Sequence, residues 1–331
     1  MDSIPEIIRC PPVLVCGFAR PDTLKMVFDR IKEVKPSKLY LWLNCPRADR
    51  PDEVARNQEC KNIFSDVQWP CDVHRNYSPV YLECRDSLEK AFTWFFDNVD
   101  RGIVLEDDCV PDPTFFRFCG ELLEKYKDDG RVGMISGHLE SSRVPKMETY
   151  GASYYFDRCA SIWGWATWRR AWRMHDPLMR YHIELDRQFD IMYGFYRDWP
   201  CVKRRKKRMW QLYDRSTGSW DGAWFTTVQI ENWLVVHPFV NLVTNVGCGK
   251  SSRVETAGRA DTAKRRVWYD CCPTTPISFP LVAPLTMMPN PFAEKNMFID
   301  VFNLNYKRWW LSNAPIWAMN KIKRLVGHKE H

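Results

Sequence analysis

VLEDDCVPDPTFF, residues 104 to 116, is the stretch from which the fold of this chain is read. Ile103 to Leu105 is a short β-branched run that predicts a strand. It delivers Glu106, Asp107 and Asp108 to its C-terminal end, just before a Pro-bounded turn and a segment of helical spacing. Three adjacent carboxylates repel one another. The cluster becomes tolerable if a hard cation and its phosphate ligand neutralise it, and carboxylate oxygens are what Mg²⁺ or Mn²⁺ prefer. The triplet is therefore a candidate metal-diphosphate site. The same residues also fit an acidic loop ahead of a helix whose N-terminal dipole welcomes Asp112.

Towards the N-terminus, Val13 to Phe18 is a compact apolar strand ending in Ala19-Arg20-Pro21-Asp22. Thr23 to Val34 has helical spacing at Leu24, Val27, Phe28 and Ile31, and Leu39 to Leu43 is a second strand. After an irregular region, Ser87 is expected to cap a helix with Leu88, Ala91, Phe92 and Phe95 on one face, which leads into the acidic strand. A helix over Phe115 to Tyr126 and a strand over Val132 to Ile135 follow. Strands separated by helices of this length predict an α/β fold, a mostly parallel central sheet flanked by helices, Rossmann-like over the N-terminal half. Ligands in such sheets sit at the C-terminal strand edge, where Arg20, Asn44 and the triplet fall.

From about residue 140 the periodicity breaks down into an irregular, Trp-rich half marked by ASIWGWATWRRAW (160 to 172), GSWDGAW (218 to 224) and NLVTNVGCGKSSR (241 to 253). Trp165, Trp168 and Trp172 are expected on one helix face, mostly in the core. Phe239 to Val243 is expected as a strand. His138 and Trp220 are further candidate site residues. The expected organisation is residues 1–138, residues 139–256, and residues 257–331 as a wrapping segment and a basic-aromatic tail.

With 331 residues, 45% hydrophobic and 27% charged, the chain can bury a sizeable core. Its 16 Trp suit a dense aromatic core as well as sugar-stacking surfaces. The 13 Cys lack CxxC or Cys/His spacing, which predicts reduced buried thiols and neither a disulfide framework nor a zinc site. No apolar run of about 18 residues occurs. The opening MDSIPEIIRCPP lacks the basic and apolar regions of a secretory signal, so a cytoplasmic location is expected, peripheral on the inner face of a membrane at most. KRRKKR (203 to 208) accompanies no nucleic-acid module, so nucleic acid is not an expected partner. Residues 306–331 combine Trp309 and Trp310 with basic residues, the composition of an interfacial helix. With the formal charge of +7 this suggests an anionic membrane surface bearing a lipid-linked acceptor; packing against the domain is the competing account.

The order of the Arg20 strand, the helix before VLEDDCVP, WGWATW, the Trp220-Asp221 pair and NVGCGKSS resembles the GT-A-fold glycosyltransferases over roughly residues 12 to 256. Within these it is most similar to bacterial-type sugar transferases related to the N-acetylglucosaminyltransferase I family. The resemblance implies a GT-A fold and a metal-dependent, inverting transfer from a nucleoside-diphosphate sugar, foremost a UDP-sugar, to a hydroxyl of a glycan or lipid-linked glycan, with Mn²⁺ or Mg²⁺ on the diphosphate. It implies residues 1–138 as the nucleotide-sugar-binding half and 139–256 as the acceptor and catalytic half, with His138, Trp165 and Trp220 on the acceptor side. It implies Asp108 as the metal ligand, with Glu106 and Asp107 placing ribose, sugar or metal-bound water. Arg20 takes a base or phosphate contact, and Asn44 stands where related sequences commonly carry an Asp facing the base.

Inverting transfer needs a base, and Asp221, flanked by Trp220 and Trp224, is the candidate, its competing role being an N-cap. Lys250, Ser251 and Arg253 form a Gly-flanked basic segment suited to closing over the diphosphate. Two other readings are a sugar-1-phosphate nucleotidyltransferase, for which the Gly-rich phosphate loop is missing, and a non-catalytic carbohydrate-binding or membrane-associated protein.

Overall fold

A computed structural model of the chain describes residues 10–139, 149–180, 199–215, 220–247 and 272–294. The central strands form where apolar runs leave no polar residue to alternate. β1 (Val13–Gly17) is buried throughout and β2 (Lys38–Leu43) nearly so, as strands covered on both faces must be. Between them α1 (Pro21–Val34) starts on Pro21, whose missing N–H costs nothing at a helix start, and buries Leu24, Val27, Phe28 and Ile31 as their spacing predicts. It ends where Lys35 turns left-handed and donates its N–H to Ile31 O at 2.9 Å.

The region expected to be irregular holds α2 (Pro51–Ser65) and β3 (Asp72–Tyr77). Both escape pattern reading for physical reasons: α2 buries only Asn57, Cys60 and Phe64, and β3, an edge strand, buries no residue fully. α3 (Cys84–Asn98) begins three residues before the expected cap. Ser87 lies inside it, and its hydroxyl accepts the indole N–H of Trp42 at 3.0 Å. β4 (Arg101–Glu106), β5 (Cys109–Pro111), α4 (Pro113–Lys125) and β6 (Val132–Ser136) follow, with Asp112 as the N-cap of α4, accepting from Thr114 N at 2.9 Å.

Among the described residues, β7 (Tyr154–Asp157), β8 (Trp165–Trp168) and β9 (Leu234–Pro238), from the half expected to be irregular, join the same sheet, in the order β3-β2-β1-β4-β8-β6-β9-β7. Six strands run one way; β8, wedged between β4 and β6, and β7 at the edge run the other. The fold is thus α/β with a mostly parallel central sheet flanked by helices, as expected.

The Trp run is a correction. Trp165 to Trp168 is a strand, and only Arg169–Trp172 (α5) is helical, so alternation sends Trp165 and Trp168 to opposite faces. Trp168 joins the core under α1 and α4. Trp165 joins the aromatic core under α3 and α7 (Asp221–Ile230), with Phe92, Trp172, Trp220 and Trp224. Arg205, on α6 (Trp199–Tyr213), bonds Thr226 of α7 at 2.9 Å.

The expected strand over residues 239–243 is also displaced. β9 ends at Pro238, the chain turns, and β10 (Val243–Asn245) pairs antiparallel with β5, setting Asn245 opposite Cys109. Residues 272–294 pass Asn241 and Thr114, with Thr275 N donating to Asn241 O at 2.8 Å, and then reach β7, where Asn290 N donates to Phe156 O at 2.7 Å and Arg158 forks onto Glu294 at 2.8 Å.

Candidate active site

Register brings the chemistry together. Cys16 pairs with Trp42 on one side and Glu106 on the other, so β1, β2 and β4 end level. Arg20, Asn44 and the acidic triplet therefore leave the sheet at one edge.

Arg20 spans the two later acids with a fork. One guanidinium nitrogen lies 2.7 Å from Asp108 Oδ2, and the other bonds Asp107 Oδ1. Asp107 Oδ2 also accepts the Phe18 N–H at 3.3 Å. Burial pulls the Arg20 pKa down, but the charges and hydrogen bonds of Asp107 and Asp108 outweigh it and the net shift is upward. Glu106 is pushed up to about 8, by burial first and then by the charge of Asp108. Asp107 is also raised, because burial prevails over the Arg20 charge.

The β5–β10 ribbon covers Asp108 from the other side. Val246 N donates to Asp108 O at 2.9 Å, Asn245 Nδ2 reaches Asp108 Oδ1 at 3.4 Å, and Asn245 Oδ1 accepts from Gly247 N at 2.8 Å. Gly247 lies against the carboxylate, leaving no room for a side chain. The sequence reading missed Asn245, although it lies in the quoted NVGCGKSS run, because a ribbon partner leaves no periodic trace. Lys250, Ser251 and Arg253 lie outside the described residues.

Asp221 is the first residue of α7, with Trp220 at the N-cap position and no side-chain cap bond, so it does not serve as the helix cap. Its side chain is 43% exposed, and Arg208 Nη2 stands 3.9 Å from Oδ1. That oxygen is enclosed and takes no hydrogen bond among the described residues. The negative charge of Asp221 is among those that raise Glu106, so it belongs to the same electrostatic neighbourhood.

Four expected contacts are placed elsewhere. Asn44 spends its amide on the chain: Nδ2 donates to Leu82 O at 2.8 Å and Oδ1 accepts from Leu82 N at 3.2 Å, so it latches two loops. Trp165 has no exposed surface, and Trp220 stacks on it at 5.7 Å, almost wholly buried; neither ring faces an acceptor. His138 is fully buried, with Nδ1 bonded to Val243 O at 3.1 Å and its ring edge-on to Trp163, which ties β6 to β10.

Among the described residues no three His, Cys, Asp or Glu side chains converge as a metal cage. The donor set at the sheet edge is carboxylate oxygens with the Arg20 guanidinium standing between them, a chemistry suited to a hard divalent ion that keeps waters and phosphate oxygens as most of its ligands. Among the described residues no helix is long and apolar enough to cross a membrane, and residues 306–331 lie outside them.

No protein-family model matches the chain, and no curated protein matches it. Among solved structures it is similar to a 4-diphosphocytidyl-2C-methyl-D-erythritol synthase from Anaerococcus prevotii, at 9% identity over 49% of this chain and 73% of that one, with a TM-score of 0.25. It is similar also to a UDP-glucose pyrophosphorylase complexed with UDP-glucose, at 8% identity over 44% of this chain and 62% of that one, with a TM-score of 0.25. At that level of likeness the reading of function rests on the site itself.

Proposed function

We propose that the chain is a metal-dependent, inverting glycosyltransferase of the GT-A type, moving a sugar from a nucleoside-diphosphate sugar to a hydroxyl of a glycan or lipid-linked glycan. The observation that carries this reading is the Arg20–Asp107–Asp108 cluster at the C-terminal edge of the sheet, with the half-open carboxylate of Asp221 in its field. The edge is where a parallel sheet presents its ligands.

Asp108, with Glu106 and Asp107 beside it, would hold the divalent ion, which neutralises the diphosphate as it leaves. Arg20 supplies a planar fork for phosphate oxygens. Asp221 takes the acceptor's hydroxyl proton on a carboxylate oxygen as that hydroxyl attacks the anomeric carbon and the bond from that carbon to the diphosphate oxygen breaks. Trp220, behind it in the core, fixes the start of α7 and so the direction of that carboxylate.

The competing nucleotidyltransferase chemistry needs a phosphate loop of backbone N–H groups. Here β1 passes through Phe18, Ala19 and Arg20 directly into Pro21, which has no N–H to offer. The test is thermal stabilisation by nucleoside diphosphates and nucleotide sugars with Mn²⁺ or EDTA, followed by product analysis. Metal-dependent stabilisation and release of a nucleoside diphosphate support glycosyl transfer. Release of pyrophosphate from a nucleoside triphosphate and a sugar phosphate would replace it with the nucleotidyltransferase, and the absence of any nucleotide effect would leave a carbohydrate-binding protein.

A further inference from the structure

We propose that Arg20 is an exchangeable internal counter-ion: its guanidinium occupies the cation position between Asp107 and Asp108 until a divalent ion enters, and then turns to the diphosphate of the nucleotide. The inference rests on the nucleotide-sugar reading above and adds to it an order of events at the site.

The fork gives one nitrogen to each carboxylate, and Asp108 Oδ2 is already committed to it at 2.7 Å. A cation seeking that oxygen therefore competes with Arg20 for it. The two acids are nearly enclosed, with side chains 3% and 13% exposed, whereas the Arg20 side chain is 32% exposed, so the pair opens on the arginine side. The Arg20 backbone is anchored, its carbonyl accepting from Leu24 N at 3.0 Å and Thr23 Oγ1 at 3.3 Å; the exchange needs only the side chain to turn.

The acids keep their positions when Arg20 leaves. Asp107 retains the Phe18 N–H, and Asp108 retains Asn245 and the Val246 backbone bond. A released guanidinium is a planar, permanently charged fork matched to phosphate oxygens. Metal alone must displace a resident cation, and its apparent affinity falls by the fraction of molecules with the position open. With nucleotide present the displaced arginine gains a new partner, so the two ligands favour each other reciprocally.

The experiment measures Mn²⁺ binding to the full chain by the electron paramagnetic resonance signal of free Mn²⁺, and binding of UDP and GDP at saturating Mn²⁺ by calorimetry. Wild type, Arg20→Gln and Arg20→Lys are compared, with melting curves to establish folding. Arg20→Gln is expected to bind Mn²⁺ alone at least about fivefold more tightly than wild type and nucleotide at least about fivefold more weakly. The opposite signs separate exchange from a structural role, which weakens both together. Arg20→Lys, which keeps the charge but cannot bridge both acids, shows the same signs with smaller size and decides the matter should Arg20→Gln not fold. Mn²⁺ affinity unchanged or weakened in the folded variants overturns the exchange and leaves the donor site standing. Failure of wild type to bind Mn²⁺ under any condition overturns the metal-dependent reading itself.

Discussion

Gly247 approaches Asp108 so closely that a side-chain carbon on it would stand 2.2 Å from Oδ2 of the carboxylate and 3.1 Å from a guanidinium nitrogen of Arg20. Glycine is required here by room and not by backbone angle. Gly247→Ala must push the Asp108 carboxylate or the ribbon aside, and overpacking of this kind costs about 1–3 kcal/mol. Taken from binding, that predicts a loss of about 5- to 150-fold in Mn²⁺-nucleotide affinity. Calorimetric titration checks it, and unchanged affinity would mean that Asp108 does not hold the donor complex.

Asp221 is exposed enough to meet a substrate, while its Oδ1 is enclosed and takes no hydrogen bond among the described residues, with Arg208 Nη2 3.9 Å away. In the proposed reaction this carboxylate takes the acceptor's proton. Asp221→Asn keeps the shape, so nucleotide binding should survive while turnover falls by about 10²–10⁴-fold. Because Asp221 makes no cap bond, the melting temperature should barely move. Loss of nucleotide binding together with activity would count against its role as the base.

Glu106 gives the protein a pH signature. Its pKa rises from 4.5 to about 8, through burial first and the charge of Asp108 next. A native pKa above the unfolded one means that the folded protein keeps a proton the unfolded chain has released. The resulting stability is complete below about pH 4.5 and is lost as pH rises towards about 8. In EDTA the melting temperature should therefore fall across this window, and Glu106→Gln should flatten the profile. Added Mn²⁺ should stabilise most at the upper end, where the carboxylate is free to bind it. A wild-type profile in EDTA that is flat or rising over the window would contradict a protonated Glu106.

The parts of the fold legible in the sequence were those built by burial on a regular period. α1 shows its buried face as Leu24, Val27, Phe28 and Ile31, and β4 shows its apolar run before the acids. The parts that escaped owe their structure to partners distant in sequence. β8 is a strand because β4 and β6 supply its hydrogen bonds on both sides, and that pairing overrides the helical spacing of its tryptophans. β3 depends on β2 in the same way. At the site, the triplet and Arg20 stood out as charges at strand ends. Their direct pairing did not, because it depends on β1 and β4 being neighbours in register. The tasks of Asn44 and His138 were hidden likewise, since a polar residue in an apolar context looks the same whether it faces a ligand or a backbone carbonyl.

Asn44 provides the sharpest test of that distinction. Its side-chain amide makes a two-way bond with the backbone of Leu82, and its backbone carbonyl accepts from Asn57 Nδ2 at 2.9 Å, while the same Asn57 nitrogen reaches Phe18 O at 2.6 Å. The loops after β1 and β2 and the segment entering α3 are thereby joined by two side-chain amides. Asn44→Ala takes both partners from the Leu82 N–H and C=O at a partly buried position, which predicts a loss of about 1 kcal/mol in stability. Nucleobase preference should stay as it is, because the amide is buried and turned to the Leu82 backbone. Denaturant unfolding measures the first quantity, and competition among nucleoside diphosphates measures the second. A change of preferred base with little loss of stability would return Asn44 to the donor pocket and assign the Leu82 contact to the ligand-free state alone.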